Sequence, residues 1–185
     1  MFNDKERQAR WAEASLQHLK IFFDHKEPDS RFFRSLIDNW CAYKMGGGFL
    51  EERIGRPVWF NNPNPQKFRD ALLKMHFVSD AARKLINAGE KGLVKDHSVP
   101  AVILQEAFCA AEIQNLEDVD RWLQEHYAVG LITKYEHDHL ADLKLQKEMP
   151  PDWDRVDAFA RYRAARINGR VRKGFRTVQY SVSHG

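Results

Sequence analysis

The chain has few cysteines and no long apolar run. Of its 185 residues only Cys41 and Cys109 are cysteines, and they lack Cys-x-x-Cys spacing. This argues against a disulfide framework and a zinc finger, and it predicts two buried free thiols in the reducing cytoplasm. No apolar stretch approaches the roughly 20 residues that span a bilayer, which argues against a transmembrane protein. Residues 1–7 lack the apolar stretch of a secretory signal, so we expect a cytoplasmic protein.

Acidic residues are absent from the C-terminal part of the chain, which is basic. Residues 161–185 contain seven cationic side chains: Arg161, Arg163, Arg166, Arg170, Arg172, Lys173 and Arg176. The formal net charge of +3 therefore combines a tail of +7 with a body of −4. Because cations placed on phosphates release condensed counterions, such a tail is typical of a protein that binds a nucleic-acid backbone. A solvated helix face with a frayed end is the alternative interpretation.

Helical periodicity dominates the first 90 residues. Start and stop signals predict four helices in this region. The first begins at Asn3, the second runs from Asp29 or Ser30 to Gly46, the third begins at Asn64–Pro65, and the fourth runs from Ser79 to Gly89. Between Gly46 and Pro65 the periodicity is broken, and residues 57–60 could be extended. This region is expected to form a helical layer.

The second half alternates short strands with helices. The predicted elements are strands at 92–96 and 129–132, and helices that begin at Pro100, Asn115, Thr133 and Asp152. Asn115 and Thr133 each have an acidic residue three positions on, which is the pattern of a capping box. The helix from Thr133 is expected to reach about Lys147, and the last helix is expected to end at 168–169. A weak alternation at Val178, Tyr180 and Val182 could indicate an added strand.

The chain is therefore expected to be mainly α with a small β-hairpin, an α+β fold. Three segments are expected: a helical N-terminal region over 1–90, a core over 91–150, and a basic C-terminal helix and tail over 151–185. Together they are expected to form one compact domain.

One strand end combines an acid with an imidazole. Asp96 and His97 are adjacent, Pro100 follows three residues later, and His137 lies early in the helix from Thr133. Phosphodiester hydrolysis needs a water that is deprotonated near neutral pH, and a neutral imidazole suits that task. It also needs a divalent cation on the scissile phosphate. A carboxylate and an imidazole can bind this ion while leaving coordination positions open for the phosphate and a water.

The order strand, Asp-His, second strand and helix with an early His resembles the ββα-metal fold of the HNH (His-Me finger) nuclease superfamily. The resemblance covers about 92–147. It implies that Asp96 and His137 ligate Mg²⁺, Mn²⁺ or another divalent ion, and that His97 is the general base. His139 is the fallback for His137, but it lies about 200° around the helix, so both cannot face one ion. The core over 91–150 would then be ββα-metal-like with a helical insertion.

Two features depart from the family pattern. Residues 98–128 are expected to hold two helices, where compact members have a loop or hairpin. Asn115 lies where a middle Asn is expected, but its pattern is that of a helix cap. Each candidate also has a structural interpretation: His97 as a buried core histidine, Asp96 as a turn residue, and His137 as a solvated first-turn residue.

Two functions are therefore considered. The first is a metal-dependent nuclease whose seven basic residues hold the substrate backbone, with DNA favoured over RNA. The alternative is a non-enzymatic helical regulator or inhibitor from a mobile element that binds nucleic acid or protein. It would use the basic tail but not the histidines, and neither function involves a membrane.

Overall fold

The computed structural model describes residues 4–26, 29–44, 72–73, 75–173, 175, 179 and 180. In this part the elements are α1 Asp4–Asp24, α2 Ser30–Lys44, β1 Phe77–Ser79, α3 Asp80–Ala88, β2 Leu93–His97, α4 Ala101–Cys109, α5 Leu116–His126, β3 Val129–Thr133, α6 Lys134–Asp142, α7 Ala160–Ala164 and β4 Gly169–Val171. The expected mainly α, α+β class is confirmed. None of the described helices is long and apolar enough to cross a membrane.

Several sequence predictions lie outside the described residues. They concern the Asn3 cap, the break from Gly46, the extended piece at 57–60, the helix start at Asn64–Pro65, and the alternation through Val178 and Val182.

The chain divides into two compact units, each drawn from separate stretches of sequence. Among the described residues, the first unit contains α1, α2, α4, α5 and Tyr180. The second contains the four strands together with α3, α6 and α7. The predicted segments 1–90, 91–150 and 151–185 are thus distributed over both units.

The first unit has an aromatic core between its helices. The Phe33 ring, fully buried on α2, lies 5.3 Å from Phe22 of α1 and 5.4 Å from Phe108 of α4, measured between ring centroids. Phe108 in turn lies 5.0 Å from Trp122 of α5. Apolar residues at helical spacing in four separate segments therefore meet in one cluster, as their periodicity predicts.

The second unit is built on a mixed sheet with strand order β2-β3-β1-β4. β1 and β3 run parallel, whereas β2 is antiparallel to β3 and β4 is antiparallel to β1. In the β2–β3 pair, Asp96 lies opposite Gly130 and His97 opposite Val129. Both predicted strands are confirmed, and β2 and β4 are the edges of the sheet formed by the described strands.

Side-chain caps begin three of the helices where the sequence predicts them. Ser79 caps α3, and Gly89 ends that helix in the left-handed conformation at φ +71°. Asn115 and Thr133 form capping boxes at the starts of α5 and α6. The Oε2 atom of Glu136 accepts hydrogen bonds from the Thr133 amide at 2.8 Å and the Ser79 hydroxyl at 2.7 Å. One carboxylate oxygen therefore joins the caps of α3 and α6.

The predicted end of α6 at Lys147 is wrong, because the helix stops at Asp142. Lys144 adopts a left-handed conformation at φ +61°, and the Leu145 amide donates to the Leu140 carbonyl at 2.7 Å. The chain reverses there and buries Leu145 instead of continuing along the helix axis.

The helix predicted from Asp152 is also wrong over most of its length, since only Ala160–Ala164 is helical. The Asp154 carboxylate accepts hydrogen bonds from the amides of Val156 at 2.8 Å and Asp157 at 3.0 Å, and Arg155 lies at φ +61°. An aspartate that binds its own backbone in this way favours a turn over a helix.

Candidate functional site

β2, β3 and α6 occur in the order that the nuclease resemblance implies. The two strands are antiparallel, and α6 follows β3 directly, with the Lys134 amide donating to the Gly92 carbonyl at 2.7 Å. The chain between the strands holds α4 and α5, the two helices that the sequence predicts over residues 98–128. The relationship to the superfamily itself stays a prediction, to be judged on the geometry of the site residues.

Asp96 is held by an arginine. The Arg161 guanidinium, only 1% exposed, donates through Nη2 to the Asp96 carboxylate and to the His97 carbonyl. The Tyr162 hydroxyl donates to the same Asp96 oxygen, Oδ2, at 2.8 Å. Burial, together with the adjacent Asp96 charge, raises the pKa of Tyr162 well above its ordinary value, which keeps the phenol a neutral donor.

His97 and His137 are placed differently from each other. His97 is 5% exposed at the end of β2. His137 is partly exposed on α6, where its Nδ1 lies 3.9 Å from Asp138 Oδ1 and its Nε2 lies 3.3 Å from Gln146 Nε2. His139, the fallback, is also partly exposed on α6. No hydrogen bond or ion pair joins Asp96 to His137 in the described part of the chain.

The residues present do not fit the implied divalent ion. Across the described ranges, no three His, Cys, Asp or Glu side chains lie close enough together to hold a metal ion. Asp96, the intended carboxylate ligand, already neutralises a buried guanidinium, and that guanidinium would repel a second cation. No metal-dependent step can therefore be derived for Asp96, His97 and His137 in this arrangement.

The seven predicted phosphate-binding residues divide into four groups. The placement of Arg161 on the binding surface was wrong, because its guanidinium is buried against Asp96. Arg163 is exposed but forms an ion pair with Asp157. Arg176 lies outside the described residues. The four others, Arg166, Arg170, Arg172 and Lys173, are exposed, and no described acidic side chain pairs with them. We call these four residues the basic edge.

The basic edge lies on and beside β4, an edge strand whose three residues are all exposed. The Arg172 amide donates to the His76 carbonyl at 2.7 Å, and the Asp80 amide donates to the Asn168 carbonyl at 2.9 Å. Hydrogen-bonded positions alternate along an antiparallel strand, so the backbone groups of Gly169 and Val171 point away from β1. By the same alternation, Arg170 and Arg172 project from one face of the strand and Val171 from the other.

The two faces of β4 differ in charge. On the Val171 side a groove of about 590 Å³ is lined by residues that include Phe159, Phe175, Asp154, Asp157 and Arg163, and Arg163 is paired with Asp157. Because Arg163 offsets the charge of Asp157, the groove keeps one net negative charge from Asp154, which disfavours a polyanion there. The face with Arg170 and Arg172 is therefore the one suited to phosphate groups.

His76 is a buried neighbour of the basic edge that sequence reasoning missed. Its Nδ1 accepts a hydrogen bond from the Val129 amide at 3.1 Å, so that nitrogen carries no proton. Burial and, to a smaller extent, the charge of Arg172 lower the pKa of His76 to about 4. The three residues of β1 that follow His76 are too few to show a period-2 pattern, so no sequence signal marked this position.

The chain matches no protein-family model, no curated protein and no solved structure. Its function is therefore inferred from geometry and charge alone.

Proposed function

We propose that this protein binds a polyanion, in the first place the phosphate backbone of DNA, through the basic edge. The observation that supports the proposal is a group of four exposed cationic side chains on and beside an edge strand, with no described acidic partner. The cytoplasmic location expected from the sequence is part of the proposal.

The salt dependence of binding gives the proposal a quantitative form. Each phosphate contact on duplex DNA contributes about 0.9 to the slope of log K against log salt concentration. If all four side chains of the basic edge contact phosphates, the slope is between about −3 and −4. We therefore expect binding that weakens steeply with salt and depends little on base sequence, because phosphate contacts carry no sequence information.

Fluorescence anisotropy with labelled duplex DNA, single-stranded DNA and RNA tests the proposal. The double variant Arg170→Glu/Arg172→Glu should lower affinity at least tenfold and flatten the salt slope by about 2. The matched control is Lys84→Glu/Lys147→Glu, which makes the same change in net charge at two other exposed positions of the second unit. Equal losses in both variants would show that only net charge matters and would refute a defined basic edge.

Metal-dependent hydrolysis is the second candidate, and the order of β2, β3 and α6 is the observation in its favour. The same substrates incubated with Mg²⁺, Mn²⁺ or EDTA, alongside His97→Ala, distinguish it from binding alone. Cutting that needs the metal and is lost in His97→Ala would establish the nuclease. Binding without cutting under any of these conditions is what the Asp96–Arg161 contact leads us to expect.

A further inference from the structure

Four oxygen atoms surround one cationic group at the end of β2. Arg161 Nη2 donates to Asp96 Oδ2 and the His97 carbonyl, while Nη1 donates to the carbonyls of Leu145 at 2.8 Å and Gln146 at 3.0 Å. The oxygens come from two separate stretches, the strand β2 and the turn after α6. A third stretch, α7, supplies the cation.

This set of oxygens is of the kind that a hard metal cation uses. One carboxylate with three carbonyl groups is a donor set typical of Ca²⁺ and, less often, Mg²⁺. Oxygen atoms that converge in this way repel one another, and a central positive charge compensates for that repulsion. The two terminal nitrogens of the guanidinium make all four contacts, and its buried Nε makes no hydrogen bond within the described part. The planar guanidinium group has two terminal nitrogens, which reach acceptors on both sides at once. The single ammonium nitrogen of a lysine could not make the same contacts.

We propose that the Arg161 guanidinium is the resident cation of this site and stands in place of a divalent ion. Asp96 is thereby closed to metal, and the folded protein needs no divalent cation at this position. A consequence is that removing the side chain leaves an oxygen-lined cavity selective for a planar guanidinium ion. This inference does not depend on polyanion binding.

Chemical rescue tests the proposal. Thermal unfolding of Arg161→Ala should occur roughly 10 °C below the wild type, because a buried carboxylate loses its counterion. Low-millimolar methylguanidinium should restore part of this loss and saturate, whereas equal tetramethylammonium should not. Arg163→Ala is the matched control, since Arg163 is exposed and its partner Asp157 is not part of the cluster. A folded Arg161→Ala variant that methylguanidinium does not stabilise would overturn the proposal.

Two further measurements decide the question if Arg161→Ala does not fold. Asp96→Asn/Arg161→Met should unfold at a higher temperature than Arg161→Met, because the unpaired charge has been removed; a lower temperature contradicts the proposal. The wild type should unfold at the same temperature in EDTA, Mg²⁺ and Ca²⁺. A metal-dependent rise that Asp96→Asn abolishes would show that Asp96 binds metal and would overturn the assignment of Arg161.

Discussion

Replacing Gly130 by alanine should displace Tyr162 from its position over β3. A Cβ at Gly130 would collide with Tyr162 Oη and would lie 2.8 Å from its Cε2 and 2.9 Å from its Cζ. These separations are shorter than carbon atoms tolerate, so the ring has to move. Tyr162 is fully buried, and its hydroxyl is bonded to Asp96 at 2.8 Å. A single methyl group would therefore disturb both the packing and the hydrogen bond.

The expected cost of Gly130→Ala is the sum of two effects. Forcing an extra methyl group into a packed core costs about 1–3 kcal/mol. Loss of a hydrogen bond to a buried carboxylate costs about 1.5–3 kcal/mol. The free energy of unfolding should thus fall by about 2.5–6 kcal/mol, which lowers the midpoint of thermal unfolding by roughly 5–25 °C for a protein of this size.

A double-mutant cycle with Tyr162→Phe separates these effects. In the wild type, Tyr162→Phe should destabilise by about 1.5–3 kcal/mol, because Asp96 loses a donor. In the Gly130→Ala background it removes the atom that collides most closely, so it should be neutral or stabilising. Urea unfolding of the four proteins gives the coupling free energy, expected to be at least about 1.5 kcal/mol.

Gly89→Ala is the control for the cycle. Gly89 has a positive φ but open space around its Cβ position, so alanine there should cost about 1 kcal/mol of backbone strain without coupling to Tyr162→Phe. If the Gly130 and Tyr162 effects add to within about 0.5 kcal/mol, the close approach of the ring to β3 is refuted.

Two further predictions concern pH and capping. The pKa of the His76 imidazole is about 4 in the folded protein and 6.5 in the unfolded chain. As pH falls from 6.5 to 4, the unfolded chain therefore binds a proton at His76 that the folded protein does not. The free energy of unfolding should drop by up to about 3 kcal/mol over this range. His76→Gln should flatten that part of a pH series of urea titrations, and an unchanged slope would contradict the shift. Asn115→Ala should lower the free energy of unfolding by about 1 kcal/mol, because it removes the cap of α5. Gln114 is exposed and lies just outside the helix, so Gln114→Ala should change the free energy of unfolding little in the same titration.

Sequence reasoning succeeded where a local side-chain contact decides the structure. Ser79, Asn115 and Thr133 cap helices because their side chains reach an amide three residues ahead. Such contacts depend on neighbours in the sequence and are visible in a short pattern. The strands predicted at 92–96 and 129–132 could also be read locally, since each is a short segment between two predicted helices.

The errors arose where a distant residue decides the structure. The run of cations around Arg161 predicts a phosphate-binding residue, but its acceptor Asp96 lies 65 positions earlier in the chain. β1 and β4 have three residues each and become strands only through pairing with each other and with β3. The helix predicted from Asp152 had suitable apolar spacing, but the Asp154 carboxylate bonds its own backbone instead.

Among the described strands, none pairs with the outer side of β4. The outward backbone groups of Gly169 and Val171 could template a strand from another copy of the chain, and such edges lead proteins into aggregates. Arg170 and Arg172 beside these groups oppose such pairing, because two positively charged strand edges repel each other. The charges proposed to recruit a polyanion would therefore also keep the protein dispersed, and high salt or a neutralising ligand would weaken that protection.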